Sequence, residues 1–313
     1  MGGTVKKVWG FITNSRLRFA YLCRCGFFNK VSDEKFLKMQ YKNIMGKELN
    51  IDCPQTFNEK LQWLKLNDRN PIYKTLVDKY EVKNYISEKI GEKYIIPTLG
   101  VWDRFNDIEF DSLPNQFVLK CTHDSGGVSI CKDKSDFDFE KARDKIESSL
   151  KRNYYYSSRE WPYKNVTPKI IAEKYMEDRG ESLQDYKFMC FNGEMKCSFV
   201  CSDRFSEQGL HVTFFDRDWN VMPFERHYPS KKEGLPKPKN YDKMIELAEI
   251  LSKDIPFVRV DFYEIAGEIY FGELTFYPGS GYEEFTPEEW DYELGKWIDL
   301  KSVNKVQGEN KKI

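Results

Sequence analysis

The chain has 313 residues, 40% hydrophobic and 32% charged, which allows roughly two structural units with a substantial core and excludes a disordered or collagenous protein. No apolar run reaches the ~18–20 residues of a membrane span, and no apolar core with a cleavage site opens the sequence, so a cytoplasmic protein is expected. The net charge of −1 conceals an asymmetry, because residues 1–30 carry Lys6, Lys7, Arg16, Arg18, Arg24 and Lys30 with no acid, leaving −7 on the remainder.

That leader also holds Val5, Val8, Trp9 and Ile12 at helical spacing, with Phe11, Phe19, Phe27 and Phe28. The pattern suits an amphipathic helix, either on an anionic membrane surface or packed on the body with its cations wet. The body offers no basic stripe to accompany it, which argues against nucleic acid. Residues 32–50 read as a helix with Ser32 as N-cap and Gly46 as its break. Residues 56–66 place Phe57, Leu61 and Leu64 on one face, extended by Trp63 and Leu66. Asn70-Pro71 opens a long helix to about Ile90, with Tyr73, Leu76, Val77 and Tyr80 on the buried side and Gly91 as its stop.

From residue 94 the texture turns to short β-rich runs at 94–101, 116–121 and 127–131, a helix over 136–152 and a strand over 169–176. A second block has strands at 185–191, 194–201 and 211–216, the first two joined by the hairpin signal Asn192-Gly193. A polar loop at 229–239 precedes a helix marked by Met244, Leu247, Ala248 and Leu251. Strands at 256–263 and 268–275 then form a hairpin, and 301–313 is a polar tail. The eight cysteines and three histidines show neither C-x-x-C nor zinc spacing, so reduced, packing cysteines are expected.

Strand alternation puts Phe257, Arg259, Asp261 and Tyr263 on one face, and Phe271, Glu273 and Thr275 on one face of the partner strand. Clustered charges on one sheet surface must pair or bind ligands. Either Arg259 bridges Glu273 across the strands, or the two carboxylates offer hard oxygens to Mg²⁺. In QFVLKCTHDSGGVSIC (116–131), Lys120 ends a strand and Gly126-Gly127 permits a backbone wrap over phosphate or a plain hairpin turn. Neither a Walker loop nor a Rossmann fingerprint occurs.

These pieces, in this order, resemble the ATP-grasp superfamily, most closely its TupA-like branch of capsule and teichuronopeptide biosynthesis. The resemblance runs through TFNEKLQWLKLNDRNPIYKTLVDKYEVKNYI (56–86), IIPTLGVWD (95–103), FVLKCTHDSGGVSIC (117–131), REWPYKNVTPKIIAEKYM (159–176), DYKFMCFNGE (185–194) and IPFVRVDFYEIAGEIYFGELTFYPGSG (255–281). It implies an α+β fold of two subdomains clasping ATP, small over 113–182 and large over 183–300, after a leader (1–50) and a helical region (51–112). It further implies Lys120 and Lys187 as phosphate binders and His123, Asp124, Ser125, Gly126 and Gly127 as the phosphate loop. Glu173, Lys174, Tyr175 and Met176 would form the adenine-reading hinge and Asp185 would bind ribose. Asp261 and Glu273 would hold Mg²⁺ with Thr275, which stands where many relatives have Asn. Arg259 would stabilise the transferring phosphoryl group, and Gly279, Ser280 and Gly281 the acceptor. Asp78 and Lys79 also resemble the family pattern, or form a solvated face.

The implied activity is a carboxylate–amine ligase that uses ATP and Mg²⁺ to join an amine to a carboxyl-bearing sugar or peptide. His123 would shuttle a proton or stabilise its loop by a hydrogen bond. The aromatic residues at 154–156, 161 and 163 would line an acceptor platform or pack subdomains. Two other classes compete. A glycosyltransferase would use a D-x-D motif, present at Asp216–Asp218 and Asp136–Asp138, and a nonenzymatic nucleotide-binding protein would have kept the fold alone.

Overall fold

The structure, a computed structural model, describes residues 14–177, 184–203, 209–231 and 235–303. The leader positions 5, 8, 9, 11 and 12 and most of the tail lie outside them. Asn14 caps α1 (Ser15–Arg24), its side chain accepting from the Arg16 and Leu17 amides at 3.0 and 3.2 Å. Phe19 stacks on Phe28 with centroids 4.9 Å apart, and both approach Phe36 of α2 (Asp33–Met45). The described part of the leader thus packs on the body, while Leu17, Tyr21 and Phe27 remain exposed. Gly46 ends α2 with φ 71°, as its position predicts.

Thr56 and Glu59 form a reciprocal capping box at the start of α3 (Phe57–Asn67). The long helix expected over 70–90 is instead two, α4 (Ile72–Val77) and α5 (Val82–Lys89). The break has a local cause: the Asp78 carboxylate accepts from the amides of Tyr80 (2.8 Å) and Glu81 (3.0 Å), which starts a new helix. The Lys79 amide donates to the Thr122 carbonyl at 3.0 Å, tying the break to a loop of the first sheet. Tyr80, expected on the buried side, is consequently exposed.

The first sheet is antiparallel, with β1 (Thr98–Trp102), β2 (Phe117–Cys121), β3 (Val128–Cys131) and, after α6 (Phe139–Leu150) and the short α7 (Tyr155–Ser158), β4 (Ile170–Lys174). Its order is β1-β4-β2-β3. Phe117, Leu119, Cys121 and Ile170 pack with Ala142 and Ile146 of α6 in a core of their own. β1, which falls largely within the β-rich run expected at 94–101, is this sheet's edge.

The second sheet comprises β5 (Asp185–Phe191), β6 (Glu194–Ser202), β7 (His211–Phe215), β9 (Phe257–Ile265) and β10 (Glu268–Thr275), in the order β10-β9-β5-β6-β7. The ribbon strand β8 (Glu225–Arg226) and α8 (Tyr241–Ser252) lie between β7 and β9 in the chain. The Asn192-Gly193 turn has φ of 51° and 84°, the left-handed pair a tight hairpin requires. Phe188, Phe191, Phe257 and Val260 form the main core with Met244 and Leu251 of α8 and with Phe57 of α3, whose ring meets Phe257 edge-on at 4.9 Å. β11 (Phe285–Thr286) pairs with β8, and α9 (Glu289–Trp297), which the sequence reading did not anticipate, packs on α3.

None of the eight cysteines forms a disulfide; Cys25 and Cys53 are exposed, and Cys121, Cys131, Cys190 and Cys197 are buried. Burial pushes Cys121 up to about 11 and Cys190 up to about 12, so these are inert packing residues.

Candidate active site

The second sheet gathers a charged cluster on one surface. Lys187 of β5 lies opposite Asp261 of β9 in the ladder, its Nζ 2.6 Å from Asp261 Oδ2, and it also bonds Asp185. Arg259 grips the same carboxylate with Nε to Oδ1 at 2.7 Å and Nη2 to Oδ2 at 2.6 Å. It also reaches Glu273 Oε1 at 2.9 Å, to which Thr275 donates at 3.0 Å. The β9–β10 register slips between Phe271 and Leu274, so Glu273 sits in an irregular stretch. Asp261 is 2% exposed; burial alone would raise its pKa, but Arg259 and Lys187 outweigh it and hold the carboxyl below the usual range. Burial opposes charge on Arg259 as well, and Asp261 and Glu273 more than offset it. Asp185 Oδ1 is buried and has no hydrogen-bond partner.

The first sheet carries a second cluster. Glu173 on β4 is 7% exposed; its Oε2 takes Lys120 of β2 at 2.6 Å and its Oε1 takes Lys83 of α5 at 2.5 Å. Lys83 also donates to the Ile96 carbonyl at 2.7 Å and Thr98 Oγ1 at 2.8 Å. Burial pushes Glu173 up, yet the two lysines prevail and its pKa is lowered. Lys83 was not singled out from sequence, since one lysine in a charged helix carries no mark. Lys174 is exposed, its amide bonded to the Pro97 carbonyl at 3.0 Å, and Tyr175 and Met176 follow half-buried.

The loop between β2 and β3 divides in two. His123 and Asp124 are buried, His123 Nε2 lying 3.1 Å from the Arg152 carbonyl, while the Asp124 carboxylate takes Ser149 and, at 2.8 Å, Arg152. The Lys79 ammonium bonds the Asp124 carbonyl. A Cβ on Gly127 would sit 2.4 Å from Ser149 Oγ, so glycine is needed for the approach to α6. Only Ser125 and Gly126 of DSGG are exposed. The structure thus shows Asp124 and His123 as anchors of the loop, with their side chains turned away from its tip.

At the far end, Gly279, Ser280 and Gly281 have φ of 57°, 53° and 68°. α3 holds this turn: Gln62 Nε2 donates to the carbonyls of Ser280 (3.1 Å) and Gly281 (2.9 Å), and Lys65 Nζ to that of Ser280 (2.8 Å). Ser280 Oγ and Ser158 Oγ both donate to Glu160 Oε1, at 2.7 and 2.8 Å. Lys65 is 1% exposed, and burial drags its pKa down to about 7 against the pull of Glu160. The aromatic run separates by role. Tyr154 and Tyr163 meet edge-on at 4.7 Å, and burial together with Glu160 and Glu273 raises both phenols. Tyr155 and Tyr156 instead pack around the buried Arg159.

The Tyr263 phenol is raised by burial and by Asp185, Asp261 and Glu273 of the second sheet, and it also feels Glu173 of the first. Among the described residues no three His, Cys, Asp or Glu side chains surround a common metal position. The D-x-D motifs have local uses: Asp216 accepts from the Asp218 and Asn220 amides at 2.9 and 2.8 Å in a turn, and Asp138 caps α6 through the Lys141 amide at 2.9 Å. No described helix is long and apolar enough to cross a membrane.

No curated protein matches the chain. Among solved structures, it is similar to D-alanine–D-alanine ligase from Bacillus anthracis complexed with ATP, at 17% identity and TM-score 0.43, covering 75% of this chain and 68% of that one. The corresponding enzyme from Helicobacter pylori gives 15%, 0.41, 74% and 60%. The ATP-grasp ligase PsnB, in complex with its minimal precursor, Mg and ADP, gives 10%, 0.36, 70% and 57%, so the chain spans less than two thirds of these last two. The family profile described as TupA-like ATPgrasp matches residues 59–299, more than three quarters of the chain. With its two antiparallel sheets and this match, the chain belongs to the TupA-like ATP-grasp family.

Proposed function

We propose that the protein is an ATP-dependent carboxylate–amine ligase that works through an acyl-phosphate, joining an amine to a carboxyl-bearing sugar or peptide in the synthesis of a capsule or other surface polysaccharide. One observation carries this reading. The chain carries two clusters of unequal charge: Lys83 and Lys120 to the one carboxylate of Glu173 at the first sheet, and three carboxylates to two cations on the second sheet. The first excess suits polyphosphate and the second suits a divalent cation.

Asp261 and Glu273, both bonded by Arg259, would hold Mg²⁺ with Thr275, which donates to Glu273 Oε1, a hard-oxygen set that nucleotide phosphates would complete. When bound, the metal supplies charge neutralisation at the phosphates. Lys120 and Lys187 orient the polyphosphate, the 173–176 strand end receives adenine, and Asp185 the ribose. Arg259 faces the γ-phosphoryl group as it passes to a substrate carboxylate oxygen and ADP departs. An amine then attacks the carbonyl carbon, phosphate leaves and the amine loses a proton. Ser125 and Gly126 close over the phosphates and exclude water. Gly279, Ser280 and Gly281, with Tyr154 and Tyr163, receive the acceptor. The exposed Leu17, Tyr21 and Phe27 among the leader's cations support docking on the anionic inner face of the cell membrane.

Calorimetric titration with a nonhydrolysable ATP analogue tests this, with and without Mg²⁺ and against a UDP-sugar with Mn²⁺. Magnesium-dependent binding of the analogue is expected, followed by phosphate release in a screen of uronic acids paired with amino acids. Binding of the UDP-sugar alone would overturn the proposal in favour of glycosyl transfer.

A further inference from the structure

Glu173 has one lysine on each oxygen, and the two lysines are held differently. Lys83 is 13% exposed and is fixed by the Ile96 carbonyl and Thr98 Oγ1 in addition to the carboxylate. Lys120 is 24% exposed and hydrogen-bonds Glu173 from β2. A carboxylate this buried cannot be left without a counter-ion. In a chain where Lys120 were its sole cation, moving Lys120 onto a ligand would strand a buried negative charge. With Lys83 in place, the carboxylate stays neutralised while Lys120 turns away. The distribution of bonds matches this division: the lysine with three oxygen partners stays, and the more exposed one is free to exchange.

We propose that Lys83 is a positioning residue, the permanent counter-ion of Glu173 that releases Lys120 to bind nucleotide phosphates. The proposal rests on the nucleotide-binding reading of the cleft and adds to it a residue that need not touch the nucleotide. It also explains why α5 begins where it does. The Asp78 turn that splits the expected helix sets α5 against the β1 end, where Lys83 meets Ile96, Thr98 and Glu173 together.

The test is a double-mutant cycle read by calorimetric titration of ADP in excess Mg²⁺, with thermal melting on every variant. Lys83→Met is expected to weaken ADP binding by about tenfold or more, because Lys120 is then held on Glu173. In the Glu173→Gln background the same Lys83 substitution is expected to change ADP affinity by less than about threefold, since no buried charge remains to be neutralised. Lys83→Gln keeps a donor for Ile96 and Thr98 but not the charge; it is expected to follow Lys83→Met and serves if the methionine variant does not fold. An unchanged affinity in Lys83→Met or Lys83→Gln overturns the proposal. An equal loss in both backgrounds also overturns it, since Lys83 then acts on the nucleotide or on the fold directly. Failure of the unaltered protein to bind ADP would instead reject the nucleotide site itself.

Discussion

The two faces of the cleft solve the same electrostatic problem in opposite ways. On the first sheet a single buried carboxylate, Glu173, anchors two lysines, and both lysines reach solvent more than it does. On the second, a single buried carboxylate, Asp261, is gripped by Lys187 and by the Nε–Nη2 edge of Arg259, with Asp185 bonded to Lys187 and Glu273 to Arg259. The first arrangement leaves positive charge available at little disturbance to the core. The second ties its cations into the sheet and leaves carboxylate oxygen available. A cleft with one loosely held and one tightly held face can admit a polyanion on one side and a cation on the other.

The largest expected effect lies on the tight face. Asp261→Asn would leave the buried Lys187 with Asp185 alone and Arg259 with the half-exposed Glu273 alone, and should lower unfolding stability by about 3 kcal/mol in urea titrations, as well as removing magnesium-dependent binding of the ATP analogue. The loose face should separate binding from stability. Lys120→Ala is expected to weaken ADP at least about tenfold while altering stability by less than about 1 kcal/mol, because Lys83 still neutralises Glu173. A large loss of stability there would erase the contrast between the faces.

Lys65 sharpens the comparison at a third point, since its charge is buried with Glu160 beside it. Its folded pKa of about 7 lies below the ordinary lysine value of 10.5. Between those values the unfolded chain binds more protons than the folded one, so stability should rise with pH from about 7 to about 10, by up to about 1.4 kcal/mol per pH unit. Lys65→Met should flatten that rise in denaturation curves taken across this range. The smallest effect is expected at Glu273, whose side chain is 47% exposed. Glu273→Gln should change stability by less than about 1 kcal/mol yet shift the magnesium dependence of analogue binding; an unshifted dependence would remove Glu273 from the metal site.

Much of this molecule was legible in its sequence because the signals were local. Alternation along 256–263 put Arg259 and Asp261 on one face, and Asn192-Gly193 placed a hairpin, since both follow from backbone geometry within a few residues. Family-wide order of motifs extended that reading to the fold. What tertiary structure alone decided were contacts between residues far apart in the chain. The Lys79 amide, next to the local Asp78 cap, is drawn to the Thr122 carbonyl and so ties the helix break to the first sheet. The DSGG loop turns Asp124 inward to Ser149 and Arg152, so its tip is Ser125 and Gly126. Lys65 and Gln62 hold a turn more than two hundred residues away, and Lys83 meets Glu173 from another element. A buried charge is stabilised by whichever partner the packing brings within reach, and that distance is set by how the elements are arranged, which no local pattern records.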